Sequence, residues 1–199
     1  MNPEWLVVTA VGAAILLASV VGALGSTIPA LEQRVFHAVN GLPGWLYWVL
    51  WLPMQLGNLV VGLLAGLVVA FVHRDWTVAI GVILATVLKL VTERFIRREM
   101  ADHLAVRQRP GTSEVGAILR GADVPSSGPS FPSGHVILVS AIGTVVTPNL
   151  AVVWWWLPLL CMLLVMIGRV YVGAHNPLDV TAGLGAGLLL GGAIAMFVN

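Results

Sequence analysis

The chain has 199 residues, 58% of them hydrophobic and only 10% charged, with a formal net charge of +1. A soluble globular domain carries roughly 25% charged residues, so this composition excludes one and indicates a single membrane-embedded domain over 1–199. There is no basic tail, so no nucleic-acid partner is expected; the bilayer is the partner implied.

Trp5 to Leu24 is an apolar run long enough to cross a hydrocarbon core of about 30 Å. No Lys or Arg precedes it, which predicts a retained transmembrane helix rather than a cleaved signal peptide. The next stretch carries Glu32, Arg34 and His37, and Ala30 to Asn40 is expected to form a short amphipathic segment at the membrane interface. Trp45 to Val72 is too long for one straight span. Pro53 and Gly57 are expected to divide it into an interfacial half-helix and a spanning helix. After the polar turn His73-Arg74-Asp75, Trp76 to about Val91 reads as the third span.

Thr92 to about Ser133 is the only long polar stretch, and it holds six of the ten Lys and Arg residues. A loop of that length inside a compact domain is usually functional or disordered. Its first part, Thr92 to Gln108, has few helix breakers and is expected to continue as helix beyond the bilayer. Gly111 to Gly128 is rich in Gly, Ser and Pro and reads as loop. Three further helices are expected over His135–Val146, Val152–Ile167 and Leu178–Val198. The predicted fold is therefore an all-α integral membrane protein with six transmembrane helices, an interfacial amphipathic segment and one long polar loop, about 92–133. Gly183, Gly187 and Gly191 recur every four residues, as do Gly62 and Gly66. Such small-residue faces serve close helix packing. Trp154-Trp155-Trp156 reads as an interfacial belt, and the single cysteine, Cys161, as packing.

Two stretches carry the chemistry. In Ser130-Phe131-Pro132-Ser133-Gly134-His135, Ser133 falls at the N-cap of a helix whose first N–H groups can hold an anion. In Gly168-Arg169-x5-His175-Asn176-Pro177-Leu178-Asp179, Asn176 reads as an N-cap and Pro177 as the first helical residue. Two helix N-termini, each delivering a histidine, together with Arg109 and Arg169, point to a phosphate site. On the six-span layout these stretches and the first loop fall on one side of the membrane. Three sequence-distant polar clusters thus converge.

Pro132-Ser133-Gly134-His135 and Arg169-x5-His175-x3-Asp179 resemble the second and third signature motifs of the phosphatidic acid phosphatase type 2 superfamily, and Arg109-Pro110 resembles the end of the first. The layout resembles its membrane-bound lipid phosphate phosphatase branch. That resemblance implies His175 as nucleophile, Asp179 as the carboxylate orienting it, and His135 as general acid and base. It implies phosphate binding by Arg109, Arg169, Ser133 and Gly134, with no metal and no cofactor. The substrate implied is a membrane lipid phosphate: phosphatidic acid, phosphatidylglycerol phosphate, or a polyprenyl phosphate or diphosphate. The site is expected on the extracytoplasmic face of a multi-pass protein of the cell membrane, although nine of ten Lys and Arg lie on that face, against the positive-inside rule.

The chain departs from the family pattern twice. Gly168 replaces the serine that usually opens the third motif. Asp102 stands where the first motif has a lysine, and Lys89 lies twenty residues before Arg109. If helix ran unbroken from Arg98 to Arg109, Arg98 or its neighbour Arg97 would return to the face of Arg109, whereas Lys89 would point away. Arg98 is therefore the candidate substitute. His37, His73 and His103 read as cap or interface residues, and Arg94, Arg107 and Arg120 allow attraction to anionic headgroups. A lipid phosphotransferase on the same fold and a degenerate, non-catalytic lipid-phosphate binder remain as alternatives, and the oligomeric state is open.

Overall fold

Apolar runs broken by Pro, Gly and short polar turns fold here as helices. The computed structural model describes residues 3–25, 27–103, 107–122 and 124–198, with the backbone alone at 100–103. Its helices are α1 (Pro3–Gly22), α2 (Ala30–Asn40), α3 (Leu46–Met54), α4 (Leu59–His73), α5 (Trp76–His103), α6 (Pro110–Ser113), α7 (Gly134–Val146), α8 (Trp156–Tyr171) and α9 (Pro177–Val198). Among the described residues the one strand-like contact is an isolated antiparallel bridge between Gln108 and Pro129.

The amphipathic segment forms over the predicted residues, as α2. The break also falls where Pro53 and Gly57 lie: α3 runs into a 3-10 turn at Gln55–Gly57, and α4 leaves at 73°. Asn58 restarts the chain as an N-cap, its side chain accepting from the N–H groups of Val60 and Val61. Among the described residues three stretches are long and apolar enough to cross a membrane, namely Pro3–Gly22, Val152–Tyr171 and Pro177–Val198, or four if the bent pair counts as one. The C-terminal half of α5 is heavily charged, and α7 is only 13 residues long before a 3-10 turn at Thr147–Asn149.

α9 and α7 form the centre. Gly183, Gly187 and Gly191 lie against Val136, Ser140 and Ala141 of α7, while Gly185 meets the backbone of α1 at Leu16. The opposite side of α7 packs with α4 and α5 through Leu138, Ile142, Val145, Ala70, Val78 and Val82. A second cluster joins α2, α7, α8 and α9 through Phe36, Val136, Val165 and Val180. Large apolar side chains cover the outside, among them Leu17, Leu64, Phe71, Trp76, Leu159 and Phe197. An apolar exterior of this extent suits lipid rather than water.

Two expected boundaries move. Helix does not continue to Gln108: the described part of α5 runs to His103, and Gln108 is held in the bridge to Pro129. α8 runs four residues past Ile167 to Tyr171, which puts Arg169 in its last turn. If the α7–α9 contact depends on small residues, Gly187→Leu should overpack it and lower thermal stability in detergent by about 1–3 kcal/mol. A Cβ at Gly44 meets open space, so Gly44→Ala should stay within about 0.5 kcal/mol of wild type.

Candidate active site

The two motif-bearing helix starts touch. The Ser133 N–H donates to the Asp179 carbonyl at 3.0 Å, seating the start of α7 against the first turn of α9. Ser133 occupies the N-cap of α7, but its hydroxyl makes no cap hydrogen bond. Its Oγ is buried without a partner among the described residues. A donor in that position is available to an anion at the helix N-terminus.

His175 sits in the α8–α9 connection, tied down by its own N–H and that of Ala174, which both donate to the Arg169 carbonyl at 3.3 and 3.1 Å. Its Nδ1 lies 3.8 Å from Asp179 Oδ2, one helical turn on. That is longer than a hydrogen bond but directs Nδ1 at the carboxylate and leaves Nε2 as the nitrogen for chemistry. Burial pushes the imidazole pKa down to about 4; Asp179 opposes this, and the charges of Arg169 and Arg109 reinforce it. The ring is therefore neutral near pH 7, as a nucleophile must be. Arg109 extends one guanidinium nitrogen to the Ala174 carbonyl at 2.9 Å, and so stands beside the same connection.

His135 and Arg169 line a cavity of about 50 Å³ together with Tyr47, Gln55, Asn58 and Arg120. The break between α3 and α4 forms one wall. A Cβ on Gly57 would come within 2.7 Å of the His135 Cβ, so only glycine lets the 3-10 turn approach that closely. Arg120 stacks 4.2 Å from the Tyr171 ring and donates to the carbonyls of Tyr171 and Leu42. Protein carbonyls and an aromatic face are its observed contacts, in place of the lipid headgroups allowed by the sequence.

Several functional partners escaped the sequence reading. Arg107 is buried rather than at a lipid surface: its Nε donates to Asp179 Oδ1 at 3.1 Å, and a terminal nitrogen lies 2.5 Å from Glu32 Oε1. Glu32 Oε1 also accepts from the Leu178 N–H at 2.9 Å, so Glu32 satisfies the start of α9 from another helix. The Asn176 side chain instead donates toward Gln108 and Ser113, and its Oδ1 has no partner among the described residues. Asn176 precedes the helix as expected; its side chain is not the cap.

Lys89 does not point away from the site. It pairs with Glu93 at 2.6 Å, Glu93 pairs with Arg97 at 2.6 Å, and the Lys89 charge acts on His135. The Glu93 carboxylate occupies the space that a Cβ on Gly134 would take, so a larger residue there would displace that side chain. Arg98, by contrast, is exposed. The helical phasing that linked it to Arg109 does not apply, because Arg109 is extended (φ −65°, ψ 154°) and Gln108 is in the bridge. The side chains of Asp102 and His103 lie outside the described residues. Of the other histidines, His37 contacts Glu114 at 3.3 Å and His73 is exposed in the last turn of α4. A spacing rule tied to continuous helix could not find Lys89. A search for any lysine facing the Ser-Gly-His helix start would have.

Among the described residues no group of three or more His, Cys, Asp or Glu is arranged to hold a metal ion. The model of the PAP2 superfamily matches residues 76–199, which include all three motifs. Decaprenylphosphoryl-5-phosphoribose phosphatase of Mycobacterium tuberculosis is 26% identical over 140 residues, 70% of each chain. Undecaprenyl-diphosphatase of Sulfolobus acidocaldarius is 47% identical over 55 residues, 27% of this chain and 26% of that one. Among solved structures, LpxE of Aquifex aeolicus superposes with a TM-score of 0.67 at 25% identity, over 84% of this chain and 96% of that one. The transmembrane PAP2-type phosphatidylglycerolphosphate phosphatase of Bacillus subtilis gives the same TM-score at 21% identity, over 94% and 95%, a likeness of fold. With its motifs, their geometry and these relatives in agreement, the chain belongs to the PAP2 superfamily and is a phosphatase.

Proposed function

We propose that the protein hydrolyses a membrane lipid phosphate without a metal, through a phosphohistidine at His175. The observation that carries this reading is the hydrogen bond from the Ser133 N–H to the Asp179 carbonyl, which holds the starts of α7 and α9, next to His135 and His175, against each other. His175 Nε2 attacks phosphorus while the bond to the leaving oxygen breaks, and His135 gives that oxygen a proton. His135 then takes a proton from water, whose oxygen attacks phosphorus, expelling inorganic phosphate and restoring neutral His175. Arg109 and Arg169 hold the equatorial oxygens, with the Ser133 hydroxyl and the N–H groups of Gly134 and His135 as neutral donors. Lys89 takes the place of the first-motif lysine, and Arg98 drops out of the site. The binder alternative draws on the missing first-motif lysine and the odd first motif, and Lys89, whose charge acts on His135, argues against the first of these.

The tail reaches the site laterally. Just beneath the break, an almost wholly apolar cavity of about 250 Å³ runs between α4, α7 and α8, from Leu56 past Ala65, Gly66 and Gly143 to Leu157. Its upper end adjoins Gln55 and Asn58 of the polar cavity. Head and tail of a lipid phosphate would lie on either side of the 3-10 turn. Phosphatidic acid, phosphatidylglycerol phosphate and polyprenyl phosphates or diphosphates all fit this division; two relatives named for polyprenyl-linked phosphates favour the last group. The apolar part of α5 and α7 with its 3-10 extension complete six crossings of a single membrane domain, with the site on the extracytoplasmic face of the cell membrane.

Purified protein in detergent with EDTA should release phosphate from at least one of these lipids, and His175→Ala should abolish release; loss of wild-type release in EDTA would overturn the metal-free chemistry. Lys89→Met should lower kcat/KM at least about tenfold, the scale of one charge-assisted contact, while Arg98→Ala stays within about twofold. Ala65→Phe, which fills the apolar cavity, should raise KM for long-tailed substrates and leave a short-chain, water-soluble phosphate ester unaffected. Equal effects on both would place the tail elsewhere.

A further inference from the structure

Glu32, Arg107 and Asp179 form an unbroken line of buried charges that ends at His175. Their exposures are 6%, 3% and 0%, with His175 at 2%. The line draws on three separate parts of the chain: α2, the polar loop and α9. The first two links are short, 2.5 Å from Glu32 to Arg107 and 3.1 Å from Arg107 to Asp179, and the last, from Asp179 Oδ2 to His175 Nδ1, is 3.8 Å. The two oxygens of Asp179 have different tasks. Oδ1 accepts from Arg107, whereas Oδ2 accepts from the Asn176 N–H at 2.8 Å and faces His175 Nδ1.

We infer that Arg107, held by Glu32, is a positioning residue that fixes the Asp179 carboxylate toward His175 while Glu32 preserves the negative charge of Asp179 for the imidazole. The inference rests on the reading of His175 as nucleophile. A carboxylate held at one oxygen alone can swing about its Cβ–Cγ bond; Arg107 on Oδ1 and the Asn176 N–H on Oδ2 remove that freedom. The charges matter as much as the geometry. Arg107 alone would cancel Asp179, and the ring would see no net negative charge as it becomes cationic on forming a bond to phosphorus. With Glu32 the three charges sum to minus one, matching one imidazolium-like ring. Burial raises the Glu32 pKa, while the Leu178 N–H and Arg107 on Oε1 hold the ionised form. The charged or titratable groups acting on His175 are Asp179 from α9, Arg109 from the polar loop, Arg169 from α8 and His135 from α7, with Arg107 behind Asp179 and Glu32 behind Arg107.

The test separates charge from geometry and does not depend on turnover. Protein labelled with ¹⁵N-histidine is titrated by NMR, following the His175 ring, beside measurements of kcat and KM. Arg107→Gln removes a positive charge near the ring, so the His175 pKa should rise by about one unit or more; Glu32→Gln exposes that charge, so the pKa should fall. The double variant should return close to wild type, since both charges are gone. Arg107→Lys keeps the charge but lacks the planar fork that reaches both carboxylates. It should leave the pKa in place yet lower kcat about 10- to 100-fold with little change in KM, the scale for outer partners that orient a histidine. Shifts of the same sign in the two single variants, no shift in either, or wild-type kcat in Arg107→Lys would overturn the inference. Should a single variant fail to fold, Arg107→Lys and the double variant carry the same decision. Absence of phosphate release from every lipid would defeat the proposed function, while the titration still decides the role of Arg107.

Discussion

A buried charge must be paired, and the pairing of Arg107 with Glu32 and Asp179 governs how this site is assembled. An isolated ion in an apolar interior costs far more than a folded domain has to spare, so none of the three can be left alone. The consequence is mechanical. If α2 left the bundle, Arg107 would lose one of its two carboxylates, and if the polar loop drifted, Asp179 would lose its ion pair. Glu32 also satisfies the Leu178 N–H, so the same carboxylate seats the first turn of α9. Breaking a buried pair by removing one partner typically costs about 3–5 kcal/mol. The loop bearing Arg109 and the helix bearing Asp179 are thereby held in one register.

A second constraint comes from the broken helix. A straight helix from Leu46 to His73 would run past the site; the bend at Gln55–Gly57 turns it and brings a glycine against His135. Above the turn the wall is polar, with Gln55 and Asn58 beside His135 and Arg169. Below it the wall is Leu56, Ala65 and Gly66. One backbone feature thus separates a compartment for charge from a compartment for hydrocarbon. Non-helical backbone in such a place is tolerated because Asn58 caps the restarted helix, leaving fewer polar groups to satisfy within an apolar surround.

Much of this was legible in the sequence where chemistry or backbone sterics allow few residue types. Pro53 and Gly57 marked the break, the polarity of Ala30–Asn40 marked α2, and the Ser-Gly-His and Arg…His…Asp spacings marked the two helix starts. What escaped was long-range pairing. Arg107 lies 72 residues from Asp179 and 75 from Glu32, and Glu32 lies 146 from Leu178. No local period encodes such partners. The loop arginines looked alike in sequence, and only packing separated buried Arg107 from exposed Arg94 and Arg98. The phasing argument for Arg98 failed because it assumed helix through Gln108, where the chain pairs instead with Pro129. One clue was present: Glu32 and Glu4 are the only acidic residues before Asp75, and an acid on an amphipathic helix followed by an arginine-rich loop invites a partner search.

On the proposed reading, the anchoring of the arginines bears on how the site keeps positive charge for a phosphate dianion. A guanidinium held by carboxylates has its charge offset before any substrate arrives; one held by carbonyls keeps it. Arg107 belongs to the first kind and lies behind Asp179, where a free positive charge would weaken the nucleophile. Arg109 and Arg120 are of the second kind, oriented by the carbonyls of Ala174, Tyr171 and Leu42. Fixing them on neutral acceptors removes side-chain freedom without spending charge, so less ordering is left for the moment of binding. Lys89 stands between the two cases, since Glu93 is shared with Arg97 and a phosphate would compete with Glu93 for two cations at once. Along the loop, Arg107 has carboxylate acceptors beside Asp179 and Arg109 and Arg120 have carbonyl acceptors.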